Sequence, residues 1–178
     1  LAIAPAAPDR ICGGAGATPM WGQYMFGKRR DGADFAPFNV ASGGLGARAT
    51  KDGVSCLAFP YNVGNTPAEI VESEVPMMVV ERSLWEDSAG PGRFRGGFGQ
   101  KYVLRMLDGE LGPMGDVLAS FRGGRFVHPP EGVLGGGAAP NGFLSIGGKQ
   151  DDAGRQVLVK PGDTIISHIP GGGGYGNP

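Results

Sequence analysis

The residues of this chain best placed to do chemistry lie in Asp87-Ser-Ala-Gly-Pro-Gly-Arg-Phe-Arg-Gly-Gly-Phe-Gly99. A glycine loop can turn its backbone N–H groups toward an anion, and Arg93 or Arg95 could add a two-pronged contact to a carboxylate or phosphate. The competing reading is a turn capped by Asp87, with the arginines holding neighbouring loops. A dinucleotide fingerprint is excluded, because Arg95 stands where GxGxxG needs its third glycine. Gly142-Phe-Leu-Ser-Ile-Gly-Gly-Lys149 comes close to a Walker A loop and also fails. Gly148 separates Gly147 from Lys149, and Gln150 stands where Ser or Thr is required. A strand followed by a turn is expected there, with no ATP bound.

Carboxylates cluster at Glu69, Glu72 and Glu74. Such groups can do acid/base work or hold a metal. Thr66-Pro67-Ala68-Glu69, however, reads as a helix start, with Thr66 as cap, Pro67 at the first helical position and Glu69 closing a capping box. Glu72, three residues on, shares the face of Glu69. His128 precedes Pro129-Pro130 and His168 sits in an apolar stretch; neither has the neighbours that zinc requires. Both are read as local hydrogen-bonding residues. Ser88 lacks the GxSxG context of an activated serine. No catalytic residue and no metal ligand is assigned from these patterns.

The elements that must position these groups are mostly short strands. Strands are expected over Trp21–Phe26 and Asp34–Ala41, joined through Lys28-Arg-Arg-Asp-Gly32, whose Asp31-Gly32 is a tight-turn pair. Further strands are expected over Met77–Leu84, Gln100–Leu107, Gly115–Phe121, Asn141–Ile146, Gln156–Val159 and Asp163–Ile169. Asp108-Gly109 and Gly112-Pro113 divide two of them. One short helix runs from Thr66 to about Pro76. This pattern predicts a mainly β chain, an antiparallel sandwich or related layered β domain, single over residues 1–178, with residues 1–19 as an irregular lead-in.

Composition supports a folded chain. Gly 35 and Pro 15 in 178 residues would suit a disordered segment, but 40% hydrophobic content and a net charge of −1 do not. That charge gives no drive toward nucleic acid or an anionic membrane, and no apolar run approaches membrane-spanning length. Cys12 and Cys56 form no CxxC pair and are read as two free thiols of a cytosolic protein.

Several glycine-rich blocks together, in order, carry a resemblance. They are Gly43-Gly-Leu-Gly-Ala-Arg48 with Asp52-Gly53, Asn65-Thr-Pro-Ala-Glu69 with Glu72 and Pro76, and Asp87-Ser88 through Arg95-Gly96-Gly97 to Gly99. Pro130-Glu-Gly132 with Gly135-Gly136, Pro161-Gly-Asp163 and the closing Pro170-Gly-Gly-Gly-Gly-Tyr-Gly176 follow. The chain resembles the C-terminal third of the B-type subunit of the hydantoinase B/oxoprolinase family. The resemblance implies part of an ATP-dependent cyclic-amide hydrolase, acting as scaffold and interface. The alternatives are part of a ketone carboxylase and a non-catalytic β-sandwich binding module. It implies a cytoplasmic enzyme needing ATP and a divalent metal, neither bound by this chain, since the family's Asp/His metal motifs belong to the N-terminal portion. The expected partners are that portion and an A-type ATP-binding subunit or domain.

Asp87, Ser88, Arg95, Gly96, Gly97, Asn65 and Glu69 are the candidate substrate-binding or loop-organising residues. Gly96 and Gly97 are expected at positive φ or against neighbouring backbone, and Arg95 is expected to pair with Asp87. The terminal glycine run has two readings: a flexible tail, or a backbone-packed segment anchored by Tyr175.

Overall fold

A computed structural model describes residues 3–18, 21–59, 61, 63–151 and 154–178. Among the described residues, ten strands form two antiparallel sheets. In the first, β1 (Trp21–Lys28) lies between β6 (Val117–Arg122) and the partners β2 (Asp34–Phe35) and β3 (Phe38–Ala41), and β9 (Gln156–Val159) extends the sheet beyond β6. The second runs β4 (Met77–Trp85), β5 (Gly99–Met106), β10 (Thr164–Ile169), β7 (Phe143–Ile146) and β8 (Lys149–Asp151). The strands expected from the sequence are present with ends moved by a residue or two, except that the one expected over Asp34–Ala41 is broken at Ala36-Pro37 into β2 and β3, since proline cannot donate to a ladder. β8 was not foreseen, because Lys149-Gln-Asp151 has no apolar alternation and pairs only as the return arm of the β7 turn.

Alternation decides which side chains meet between the sheets. Trp21 and Met25 of β1, Val117, Ala119 and Phe121 of β6 and Val159 of β9 share one core with residues of the second sheet. Those are Met77 of β4, Tyr102, Leu104 and Met106 of β5, Leu144 of β7 and Ile165 and Ile169 of β10. This is the packing of a β-sandwich.

The helix α1 (Ala68–Glu74) adds Val71 and Val75 to that core. It corrects the expected cap: Pro67 occupies the N-cap position and makes no side-chain bond. Thr66 instead offers its carbonyl to Arg82. Glu69 is left in the first turn, where the helix dipole favours a carboxylate. Glu72 has a different task, accepting a hydrogen bond from the Val79 amide of β4 at 2.8 Å. Among the described residues, no helix is long and apolar enough to cross a membrane.

Candidate functional site

The conspicuous construction lies at one end of the sandwich, where chain segments of no regular structure pack backbone against backbone. The Pro170–Gly176 segment is its axis. The Gly44 amide donates to Pro170 O (3.0 Å), Gly90 to Gly172 O (2.8 Å), Ala47 to Gly173 O (2.9 Å) and Val133 to Gly174 O (3.0 Å). In return the amides of Gly172, Gly173 and Gly174 donate to Gly97, Gly14 and Gly137 at 2.8, 2.8 and 2.9 Å. Residues 13–16, 43–47, 90–97 and 131–137 thus surround the terminal run. Tyr175 fixes its end by exchanging backbone bonds with Phe94 and donating its hydroxyl to Pro8 O at 2.7 Å. The tail is a buried structural member.

This packing needs glycine for one reason. A Cβ on Gly171, Gly172, Gly173 or Gly174 would lie 2.0, 2.1, 2.0 or 1.9 Å from the carbonyl oxygen of Ser88, Leu45, Glu131 or Pro91 respectively. Four successive glycines therefore face four different neighbouring backbones. None of the four is at positive φ. The selection is for close approach, as at the axis of collagen, and not for conformational freedom.

Within this bundle the candidate loop is fully committed. The amides of Arg93, Phe94, Gly96 and Gly97 donate to the carbonyls of Gly176, Tyr175, Gly90 and Leu45. Those of Arg95, Phe98 and Gly99 donate to Asp52 Oδ1, Ser55 Oγ and Ser88 Oγ. Residues 93–99 thus keep no spare backbone N–H for an anion. Gly96 and Gly97 touch neighbouring backbone: their Cβ atoms would fall 1.8 Å from Gly172 O and 2.1 Å from Val54 O. Positive φ is not the reason for either.

Ser88 is wholly buried and staples the loop's base, donating to Trp85 O at 2.6 Å and accepting from the Gly99 amide at 2.8 Å. Arg95 does not pair with Asp87. Its guanidinium lies over the Phe98 ring, 4.3 Å from the centroid, while Asp87 is exposed at φ 55°. The loop closes at its base through Ser88 and Gly99 and packs its glycines on the terminal run, while Arg95 turns to Phe98 and Asp87 to solvent. Asn65 accepts a hydrogen bond from Ser42 Oγ at 3.0 Å, beside the 43–47 segment. Glu69 is exposed on α1, apart from the loop.

A second cluster went unread in the sequence because it is assembled across strands. On the outer face of the second sheet, register places Ser83 opposite Lys101, Lys101 opposite His168, and His168 opposite Phe143. Glu81 accepts from Lys101 Nζ at 2.8 Å and from Ser83 Oγ at 2.7 Å. The hydrogen bond from Lys101 holds its carboxyl below the usual carboxylate range. His168 lies between the rings of Trp85 and Phe143, with centroids 4.9 and 5.5 Å away. Burial pushes its pKa down, and the Lys101 charge adds to the effect. A cleft of about 510 Å³ lies over this cluster. Only a predicted strand register could have joined these residues. Cys12 and Cys56 are free thiols, and burial pushes the Cys56 thiol up.

The family model for hydantoinase B/oxoprolinase matches residues 1–178. The chain belongs to the hydantoinase B/oxoprolinase family. It is 38% identical over 92 residues to the acetophenone carboxylase delta subunit of Aromatoleum aromaticum, covering 51% of this chain and 13% of that one. It is 30% identical over 145 residues to the 5-oxoprolinase of Dictyostelium discoideum, covering 78% of this chain and 11% of that one. The ATP-dependent caprolactamase of Pseudomonas jessenii shares the fold, with a TM-score of 0.76 at 23% identity over 99% of this chain and 32% of that one. The chain thus spans a third or less of each of these family members.

Four of the six blocks that carry the family resemblance, at 43–53, 87–99, 130–136 and 170–176, form the bundle described above, whereas Asn65–Glu69 leads into α1 and Pro161-Gly-Asp163 is the turn between β9 and β10. The side chains here do not fit a divalent metal: among the described residues no three His, Cys, Asp or Glu side chains gather to hold one. The Gly142–Lys149 segment is strand β7 followed by a turn, with Gly147 and Gly148 at φ 55° and 77°, and among the described residues no helix follows to receive a phosphate.

Proposed function

We propose that this chain is the C-terminal part of an ATP-dependent cyclic-amide hydrolase of the hydantoinase/5-oxoprolinase type, serving as scaffold and interface. One observation carries the reading. Family blocks far apart in sequence converge on one buried bundle whose backbone groups are spent on each other. Such an arrangement fixes loops; it does not turn over substrate. The complete enzyme's chemistry is phosphorylation of an amide carbonyl oxygen, which turns a poor electrophile into one that water attacks. ATP and metal belong to an A-type partner and to the N-terminal part of the B-type subunit. Ser88, Gly96 and Gly97 organise the loop, Asn65 fastens the segment ahead of α1, and Asp87, Arg95 and Glu69 are exposed groups available to the rest of a cytoplasmic assembly.

A carboxylase reading has a specific observation of its own, the 38% identity to an acetophenone carboxylase subunit. One experiment separates the two. The natural polypeptide carrying this sequence is purified with whatever binds it, and ATP hydrolysis is measured with hydantoin or 5-oxoproline, and with a ketone with and without bicarbonate. Cyclic-amide-dependent hydrolysis supports the proposal, and bicarbonate-dependent hydrolysis with a ketone replaces it. A monomer with no affinity for an A-type subunit makes the chain a binding module.

A further inference from the structure

The two outer faces of the sandwich differ in kind. The second sheet keeps charged and polar groups in the middle of its outer face, where Glu81, Ser83, Lys101, Arg105, Thr164 and His168 stand among Met78, Val103 and Ile166. The first sheet does not. Trp21 and Met25 of β1 point into the core, so Tyr24 and Phe26 point out. Register sets Phe26 beside Leu118 and Leu118 beside Leu158, which makes one apolar row across β1, β6 and β9. Phe38 of β3 lies opposite Tyr24, and their rings stack at 4.4 Å. The absence of a side chain on Gly22 lets Phe38 lie there, since a Cβ would stand 2.7 Å from its ring. Phe26 and Phe38 are each 42% exposed and Leu158 is 60% exposed. The charges stand at the border, as the Lys28–Asp34 ion pair at 2.8 Å and Arg122. An apolar centre with a charged rim is the anatomy of an interface.

We infer that this face is the seat of the remaining part of the same polypeptide, an inference that rests on the B-type subunit reading above. The chain fills 32% of the caprolactamase chain whose fold it shares, so the larger part of a chain of that kind lies outside it. Interfaces that never separate resemble a domain core cut in two, whereas transient ones are as polar as ordinary surface. A stripe with no charge in its centre suits the permanent neighbour better than a dissociable A-type subunit.

Hydroxyl-radical footprinting of the full natural polypeptide tests this, with oxidation of Tyr24, Phe26 and Phe38 compared with the same protein in urea. A free face predicts rates for the two phenylalanines of about half the unfolded value, following their exposure. The inference predicts a reduction on the order of tenfold or more, in the polypeptide alone and at every concentration. Protection that appears only on adding the A-type subunit, or that fades on dilution as for a second copy, overturns the inference. So does a rate near half the unfolded value. A native polypeptide of only 18.3 kDa overturns the subunit reading itself, whereas a longer one with a reactive face overturns this inference alone.

Discussion

Replacing Gly96 by alanine is the smallest perturbation that tests the bundle. The new methyl would lie 1.8 Å from Gly172 O and 2.4 Å from its carbonyl carbon, where real contacts do not fall below 3.0 Å. Both atoms belong to backbone, so no rotamer change relieves the clash. The 96 and 172 segments must part by an ångström or more. At Gly172 itself two hydrogen bonds tie the terminal run to this loop, from Gly90 to Gly172 O and from Gly172 to Gly97 O, each 2.8 Å. Stretched by that much, both fail. Leaving buried partners unsatisfied costs about 1–3 kcal/mol each, so Gly96→Ala should destabilise by about 2–6 kcal/mol. Alanine also restricts the unfolded chain, a gain of about 0.4–1 kcal/mol that works the other way and is smaller. Gly64→Ala is the control, because nothing lies within 4 Å of its Cβ position; it should stay within about 0.5 kcal/mol of the parent. Urea titration followed by tryptophan fluorescence reads both. Equal midpoints for Gly96→Ala and the parent would show that the bundle does not hold these segments together.

Ser88→Ala strands the Gly99 amide and Trp85 carbonyl in a buried site, and should cost about 2–4 kcal/mol in the same titration, whereas Asp87→Ala should cost only about 1 kcal/mol, from placing alanine at φ 55°. Arg95→Ala should cost about 0.5–1 kcal/mol through its contact with Phe98, and a double-mutant cycle between Arg95 and Asp87 should give no coupling. A coupling near 1 kcal/mol would restore the discarded ion pair. His168 is held below the ordinary histidine range in the folded chain, by burial first and by Lys101 second. Its unfolded form therefore takes up a proton first, so its stabilising contribution is complete above about pH 6.5 and is lost as pH falls from there. The urea midpoint should drop across that window, and His168→Gln should flatten the drop; an unchanged slope contradicts the assignment.

The strands were legible because short apolar or aromatic runs and Gly/Pro punctuation are local properties, as in Trp21–Lys28, Gln156–Val159 and Thr164–Ile169. The cap expected at Thr66 is absent because the helix begins one residue later, with Pro67 in the N-cap position at φ −54° and ψ 148°, and the Thr66 carbonyl meets Arg82 in a tertiary bond that the sequence does not display. The glycine blocks could be recognised as built loops, but not as one bundle. Their partners are as far apart as Gly14 and Gly173, and a glycine placed for close approach looks the same as one placed for a turn. Arg95 and Asp87 do not pair although the loop closes at its base, because the direction a side chain takes from an irregular loop is set by its packing, here Arg95 on Phe98. The Glu81–Lys101–His168 row and the apolar face of the first sheet both exist only once strand order and register are set.

The most direct measurement compares substrate-dependent ATP hydrolysis by residues 1–178 with that of the complete natural assembly. The account predicts turnover of a cyclic amide by the assembly and none by residues 1–178, whose bundle amides are occupied by one another. Hydantoin or 5-oxoproline turned over with ATP by residues 1–178 alone, at an enzymatic rate, would contradict it.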